Sequence, residues 1–264
     1  MNRVSKALWT RRLRYRRKRV AVWRARGNID RVNRWLGLVR EAKRKLGLLP
    51  NHDTPPKPRQ NLKGIDVSSY NGSIDWQAVK QAGVAFGICK VSEGEDWPDE
   101  SWNKARVDAM RKAGVAVGVY HFLRPKAGRS GAVEMKYFMR QAKAAGWGKP
   151  GDIRPVIDFE VSVLSPVKSL VYVRQAIDEL KRLTGKAPII YTGGPFWNEY
   201  TNGSKDNFGC ALWLAAYVKD PQQFLPAAWK QANWTIWQHT ATGGVAGVSS
   251  NDVDQNVARF LPLL

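Results

Sequence analysis

Ile153-Arg154-Pro155-Val156-Ile157-Asp158-Phe159-Glu160 reads as a strand that runs apolar and then opens on two carboxylates. Val156 and Ile157 show no polar alternation, the mark of a strand covered on both faces, as in a parallel sheet. Residues two apart on a strand project from one face, so Asp158 and Glu160 are expected side by side where the buried strand reaches a cleft. Two carboxylates that close resist joint ionisation, and one of them should keep its proton. A proton-holding acid beside a carboxylate is what cleavage of a glycosidic bond needs. An Asp-x-Glu pair is also common in surface ion pairs, so the rest of the chain has to decide.

Outward from this stretch the same unit repeats. Strands are expected at Gly64 to Val67, Val84 to Val91, Val115 to Phe122 and, downstream, Pro188 to Tyr191, Ala211 to Tyr217 and Thr235 to Gln238. Helices are expected at Trp76 to Ala82, Asp99 to Ala113, Ser130 to Ala145 and Pro166 to Leu183. Alternating strands and helices over some 200 residues fit an α/β barrel, here an irregular (β/α) barrel of eight strands. The rival, an open doubly wound sheet, usually carries a glycine-rich phosphate loop after its first strand, and Asp66-Val67-Ser68-Ser69-Tyr70 is not one.

Polar residues gather at one end of these strands. Asp66 ends the first, Glu93 follows the second, Tyr120-His121 closes the third, and Tyr191, Tyr217 and Trp237-Gln238 close later ones. Asp254 lies in Val253-Asp254-Gln255-Asn256 near the C-terminus. In a barrel such positions share one rim, and that rim hosts catalysis. Glu93, His121 and Gln238 are carried as substrate-binding candidates from this placement, with a core hydrogen-bonding role as the other reading of His121. The three histidines have no paired spacing, so neither a metal site nor a cofactor is expected. No Gly-x-Ser-x-Gly elbow is present.

Composition adds bounds. The 264 residues suffice for one barrel and a small accessory segment. Twelve tryptophans are many, and carbohydrate clefts favour flat rings. Cys89 and Cys210 each sit in an apolar run and are read as buried free thiols. The net charge of +21 is uneven: residues 1–60 hold 19 Lys and Arg against 3 Asp and Glu. Residues 1–49 form a basic extension with two helical stretches. One spans 5–26. The other carries Ile29, Val32, Trp35, Leu36, Val39 and Leu46 at helical spacing. Residues 50–61 hold four prolines and read as a linker, which leaves 62–264 for the barrel. A basic block seeks a polyanion, here an anionic wall polymer or membrane surface, with nucleic acid bound only nonspecifically. No apolar stretch is long enough for a membrane span, and no apolar run follows the basic start as it would in a signal peptide.

Gly64-Ile65-Asp66-Val67-Ser68, Lys90-Val91-Ser92-Glu93-Gly94, Gly118-Val119-Tyr120-His121-Phe122, Val156-Ile157-Asp158-Phe159-Glu160, Pro188-Ile189-Ile190-Tyr191, Leu212-Trp213-Leu214-Ala215-Ala216-Tyr217, Trp237-Gln238 and Val253-Asp254-Gln255-Asn256 follow one another in an order that resembles the family 25 glycoside hydrolases, the Chalaropsis-type lysozymes. The resemblance covers roughly 62–262. It implies a muramidase that cuts the β-1,4 bond between N-acetylmuramic acid and N-acetylglucosamine in bacterial peptidoglycan. It implies Glu160 as general acid, Asp158 as the group that orients the substrate's acetamido substituent, and Asp66 and Asp254 as completing an acidic hole. Tyr120, Tyr191, Tyr217 and Trp237 would line sugar subsites. His239 stands where the family usually has Tyr, which bears on subsite preference. Many proteins with this catalytic unit are phage endolysins, so the expectation is a monomer made in the host cytoplasm and released to the wall through a holin. The remaining rivals are a chitinase-type barrel, disfavoured because Val156 and Ile153 stand where that motif has aspartates, and a non-catalytic wall-binding barrel with a polyanion-binding arm. Retaining and inverting chemistry stay open, because a Cα spacing of about 6.5–7 Å falls between the two usual carboxyl separations. Assistance by the 2-acetamido group is the expected route.

Overall fold

Strands with no polar alternation need cover on both faces, supplied either by helices on both sides of an open sheet or by helices outside a sheet that closes on itself. In the computed structural model this closure is seen directly. The structure describes residues 61–264 and, before them, Thr10, Leu13, Leu38, Val39, Ala42 and Leu46. Two compact units emerge, Met1–Gln60 and Asn61–Leu264. In the first, Val39 is helical and buried, as are Leu13 and Ala42. The rest of the two expected helical stretches, and the proline-rich linker up to residue 60, lie outside the described residues.

The second unit contains β1 (Leu62–Val67), β2 (Val84–Glu93), β3 (Trp97–Pro98), β4 (Ala116–Phe122), β5 (Val156–Asp158), β6 (Ile189–Thr192), β7 (Ala211–Ala215), β8 (Ile236–Thr240) and β9 (Asp254–Ala258). They hydrogen-bond in the order β1-β9-β8-β7-β6-β5-β4-β2-β3, and β1 also pairs with β2. That last pairing closes a ring of eight strands, with β3 as a short hairpin return on β2. Within the ring, neighbours other than β9 run parallel, whereas β9 is antiparallel to both β8 and β1, and β3 is antiparallel to β2. An antiparallel strand starts at the rim where parallel ones end, so Asp254, the first residue of β9, lies opposite Asp66.

Helices α1 (Trp76–Gln81), α2 (Lys104–Ala113), α3 (Gly131–Ala144), α4 (Pro166–Thr184) and α5 (Gly194–Tyr200) complete the unit. The side chains of Asp75, Asn103 and Ser130 accept from first-turn amides of α1, α2 and α3, and Pro166 opens α4. Strand side chains alternate between two cores. One set, including Cys89, Ile157, Ile190 and Leu212, packs outward against the helices. The other, including Phe86, Ile88, Val156, Tyr191, Trp213 and Ile236, fills the barrel. Gly64 is required there, because a Cβ at that position would sit 2.1 Å from the Phe86 ring.

Some elements differ from expectation. The helix expected from Asp99 starts only after Asn103, because Asp99 is engaged by loop hydrogen bonds. The strand expected over Ile153 to Glu160 is regular only from Val156 to Asp158, which places Glu160 beyond its end. β3 and β9 carry too few apolar residues to announce themselves as strands.

Candidate active site

Asp66, near the end of β1, is 6% exposed and held by two amides. Gln238 Nε2 on β8 donates to its carboxylate at 3.0 Å, and Asn256 Nδ2 on β9 donates to Oδ2 at 2.7 Å. Gln238 is itself fixed, because its Oε1 accepts from the hydroxyls of Tyr191 and Tyr217, each at 2.8 Å. Asn256 in turn accepts from Trp213 Nε1 at 2.7 Å. A buried network thus ties β1, β6, β7, β8 and β9 at one rim. Asp158, Glu160, Asp254, Tyr120 and Lys90 join these groups around a cleft of about 310 Å³. Asp158 is buried, and its Oδ1 has no hydrogen-bond partner among the described residues.

The structure gathers Asp66, Asp158, Glu160, Asp254, Tyr120, Tyr191, Tyr217 and Gln238 on the cleft wall. Three expected binding residues, His121, Trp237 and Glu93, are not on that wall, and strand alternation explains the first two. On β4, Tyr120 faces the cleft, so His121 faces the helices. It is fully buried, with Nδ1 2.9 Å from Ser92 Oγ and Nε2 2.8 Å from Glu134 on α3. Burial lowers its pKa despite the adjacent Glu134, and Tyr172 of α4 donates to the same carboxylate at 2.5 Å. His121 is therefore a tie between barrel and helices, not a substrate ligand. On β8, Gln238 faces inward, so Trp237 turns away, donates to the Ala216 carbonyl at 2.6 Å and packs beside Trp234 and His239. Glu93 lies in an adjoining basin. Burial works against its charge, yet hydrogen bonds from Lys90 at 2.7 Å and Arg124 at 2.6 Å hold it below its ordinary value.

Sequence reading missed Trp213, Lys90, Asn256 and Tyr70. Trp213 stands at the same alternation as Ala215 and Tyr217, and Asn256 two residues after Asp254, so spacing from a recognised rim residue was the available signal. Lys90 was hidden in an apolar run.

The model for Glycosyl hydrolases family 25 matches residues 65–248. The chain belongs to glycoside hydrolase family 25. Lysozyme M1 of Streptomyces globisporus is 33% identical over 248 residues, covering 87% of this chain and 80% of that one. The solved bacterial lysozyme of Streptomyces coelicolor superposes with a TM-score of 0.69 at 32% identity, over 76% of this chain and 94% of that one. A family 25 lysozyme from Aspergillus fumigatus gives 0.66 at 27% identity, over 76% and 95%. This family 25 chain is thus a glycoside hydrolase with the barrel expected from its strands.

The electrostatics of the family 25 site follow from crowding four carboxyls into one cleft. Burial, reinforced by Asp254, pushes Asp66 up to about 8, against the pull of its two amide donors. Burial, then Glu160 and Asp66, drive Asp158 well above the ordinary carboxylate range. Burial and Asp254 raise Glu160, while Arg124 and Lys90 restrain it. Asp254 rises to about 6 through burial. The cleft therefore stores protons into the weakly acidic range, which suits acid catalysis.

Proposed function

We propose that this enzyme is a muramidase that cleaves the β-1,4 bond between N-acetylmuramic acid and N-acetylglucosamine in peptidoglycan, with Glu160 as general acid. One observation carries this reading. The carboxyls of Asp158 and Glu160 leave the end of β5 into a cleft already lined by Asp66 and Asp254, where crowding favours the protonated form. The names of relatives agree, among them N,O-diacetylmuramidase from Chalaropsis.

Glu160 lies beyond the strand and faces the open cleft, so it can approach a bridging oxygen and deliver its proton as the C1–O bond breaks. Asp158 is deeper, and its unpartnered Oδ1 is matched to a donor such as the N–H of a 2-acetamido group. Held there, the acetamido carbonyl oxygen attacks C1 as the leaving group departs. Water then opens that intermediate and returns a proton to Glu160. Asp66, Asp254, Tyr191 and Tyr217 shape the hole that receives the sugar ring. Glu160→Gln keeps shape but has no transferable proton, and its turbidity clearance of cell walls should fall by roughly 10²–10⁴ with folding intact. Clearance within tenfold of wild type removes Glu160 from the acid role.

The basic segment 1–49 serves in this reading as an electrostatic anchor to anionic wall polymer or membrane surface, with only nonspecific affinity for nucleic acid. The protein is a monomeric phage endolysin, made in the host cytoplasm and released through a holin. No helix among the described residues is long and apolar enough to cross a membrane.

A further inference from the structure

Beside the acid cleft lies a second basin of about 390 Å³, and Tyr70 and Lys90 line both. Its rim carries two aromatic rings that water covers at a cost. Tyr70 is 90% exposed and Trp97 72% exposed, and neither is among the stacked or edge-on ring pairs of the described residues. Burying such rings is ordinarily among the largest gains in folding, so two left bare on one basin call for a ligand.

The basin is also built. Asp99 is 8% exposed, and its carboxylate joins the two loops that bear the rings. Its Oδ2 accepts from the Ser69 amide at 3.1 Å and the Ser69 hydroxyl at 3.2 Å, directly beside Tyr70. Its Oδ1 accepts from the Ser101 amide at 3.0 Å and from the Ser101 hydroxyl. Asp99 stands two residues past Trp97, and its own amide donates to the Val91 carbonyl at 2.9 Å. Trp97 is further fixed by β3, which pairs it with Glu93. All of this holds two flat apolar faces on one basin, whose lining also includes the polar groups of Glu93, Glu100 and Lys90. Flat faces flanked by hydrogen-bonding groups fit a pyranose ring, whose axial C–H face is apolar and whose edge is hydroxylated.

We propose that the Tyr70–Trp97 basin is an additional glycan subsite, which takes a further N-acetylated sugar of the strand being cut and makes the enzyme favour long strands over short ones. The proposal rests on the muramidase reading, since the shared Tyr70 and Lys90 place the basin along the path of a strand seated in the acid cleft.

The test uses the full-length protein and peptide-free glycan strands released by an amidase and sized into tetrasaccharide and long fractions. In Trp97→Ala, the ratio of kcat/KM on long strands to that on tetrasaccharide should fall about tenfold, chiefly through KM. Trp97→Phe, which keeps a ring, should restore most of it. Trp97 is exposed, so these variants should fold, and circular dichroism checks that they do. In the Glu160→Gln background, calorimetric binding of the long fraction should weaken about tenfold on adding Trp97→Ala. A ratio within about twofold of wild type in both Trp97→Ala and Tyr70→Ala overturns the subsite. Failure of the acid assignment looks different: Glu160→Gln would then retain turnover on both lengths, whatever the Trp97 ratio does.

Discussion

Asp66→Asn should make the barrel more stable at neutral and higher pH while destroying its activity. Asp66 has an ordinary value of 3.8 and is raised to about 8 in the fold, through burial first and Asp254 second. Between those values the folded chain holds a proton that the unfolded chain has released, so stability declines as pH climbs from about 4 to 8. At pH 7 the accumulated cost is roughly 4 kcal/mol, at about 1.36 kcal/mol per pH step. Asparagine abolishes it. The new NH2 takes the place of Oδ1, which also accepts from Gln238 Nε2 at 3.3 Å, and that lost acceptor gives back about 1–2 kcal/mol. The net gain is about 2–3 kcal/mol, or roughly 5–10 °C in Tm for a unit of this size. The assay is thermal unfolding of wild type and variant at steps from pH 4 to 8. The gap should be widest at pH 8 and close, or invert, near pH 4. Parallel curves, or a variant less stable at pH 8, would refute the claim that Asp66 is held against its charged form.

The two thiols should be inert. Burial pushes Cys89 and Cys210 up to about 12, so a thiol reagent should label neither in the folded protein, and Cys89→Ala with Cys210→Ala should keep full turnover at some loss of stability. A folded double variant with no activity contradicts this. A chain starting near Asn61 should fold alone, since the Streptomyces coelicolor lysozyme matches this barrel over 94% of its own length. It should cleave soluble fragments at the full-length rate but lyse cells more slowly at low salt, the gap narrowing as ionic strength shortens the Debye length below about 8 Å. Equal loss on fragments and on cells speaks against an anchoring role for the extension.

Much of the barrel was legible because its strands are short apolar runs ending in a polar residue. Val156-Ile157 followed by Asp158, and Ile65 followed by Asp66, mark the rim without any structure. What the sequence hid were matters of facing and direction. Tyr120-His121 and Trp237-Gln238 are adjacent pairs of which only one member can face the cleft, and the inward member is chosen by register across the closed ring. His121 goes outward because Glu134 and Tyr172, distant in sequence, offer it partners there. The segment Asp254 to Ala258 is too polar to read as a strand, and its antiparallel sense, which brings Asp254 to Asp66, follows only from the pairing. Trp97 sits in a two-residue strand that no periodicity can reveal.

A muramidase cleft cuts peptidoglycan on the reducing side of muramic acid. Purified peptidoglycan digested with the full-length protein, reduced with borohydride and analysed by mass spectrometry tests it directly. The reduced end of every new fragment should be muramitol, and Glu160→Gln should release none. Reduced glucosamine at the new ends, or free peptides without new reducing ends, would contradict it.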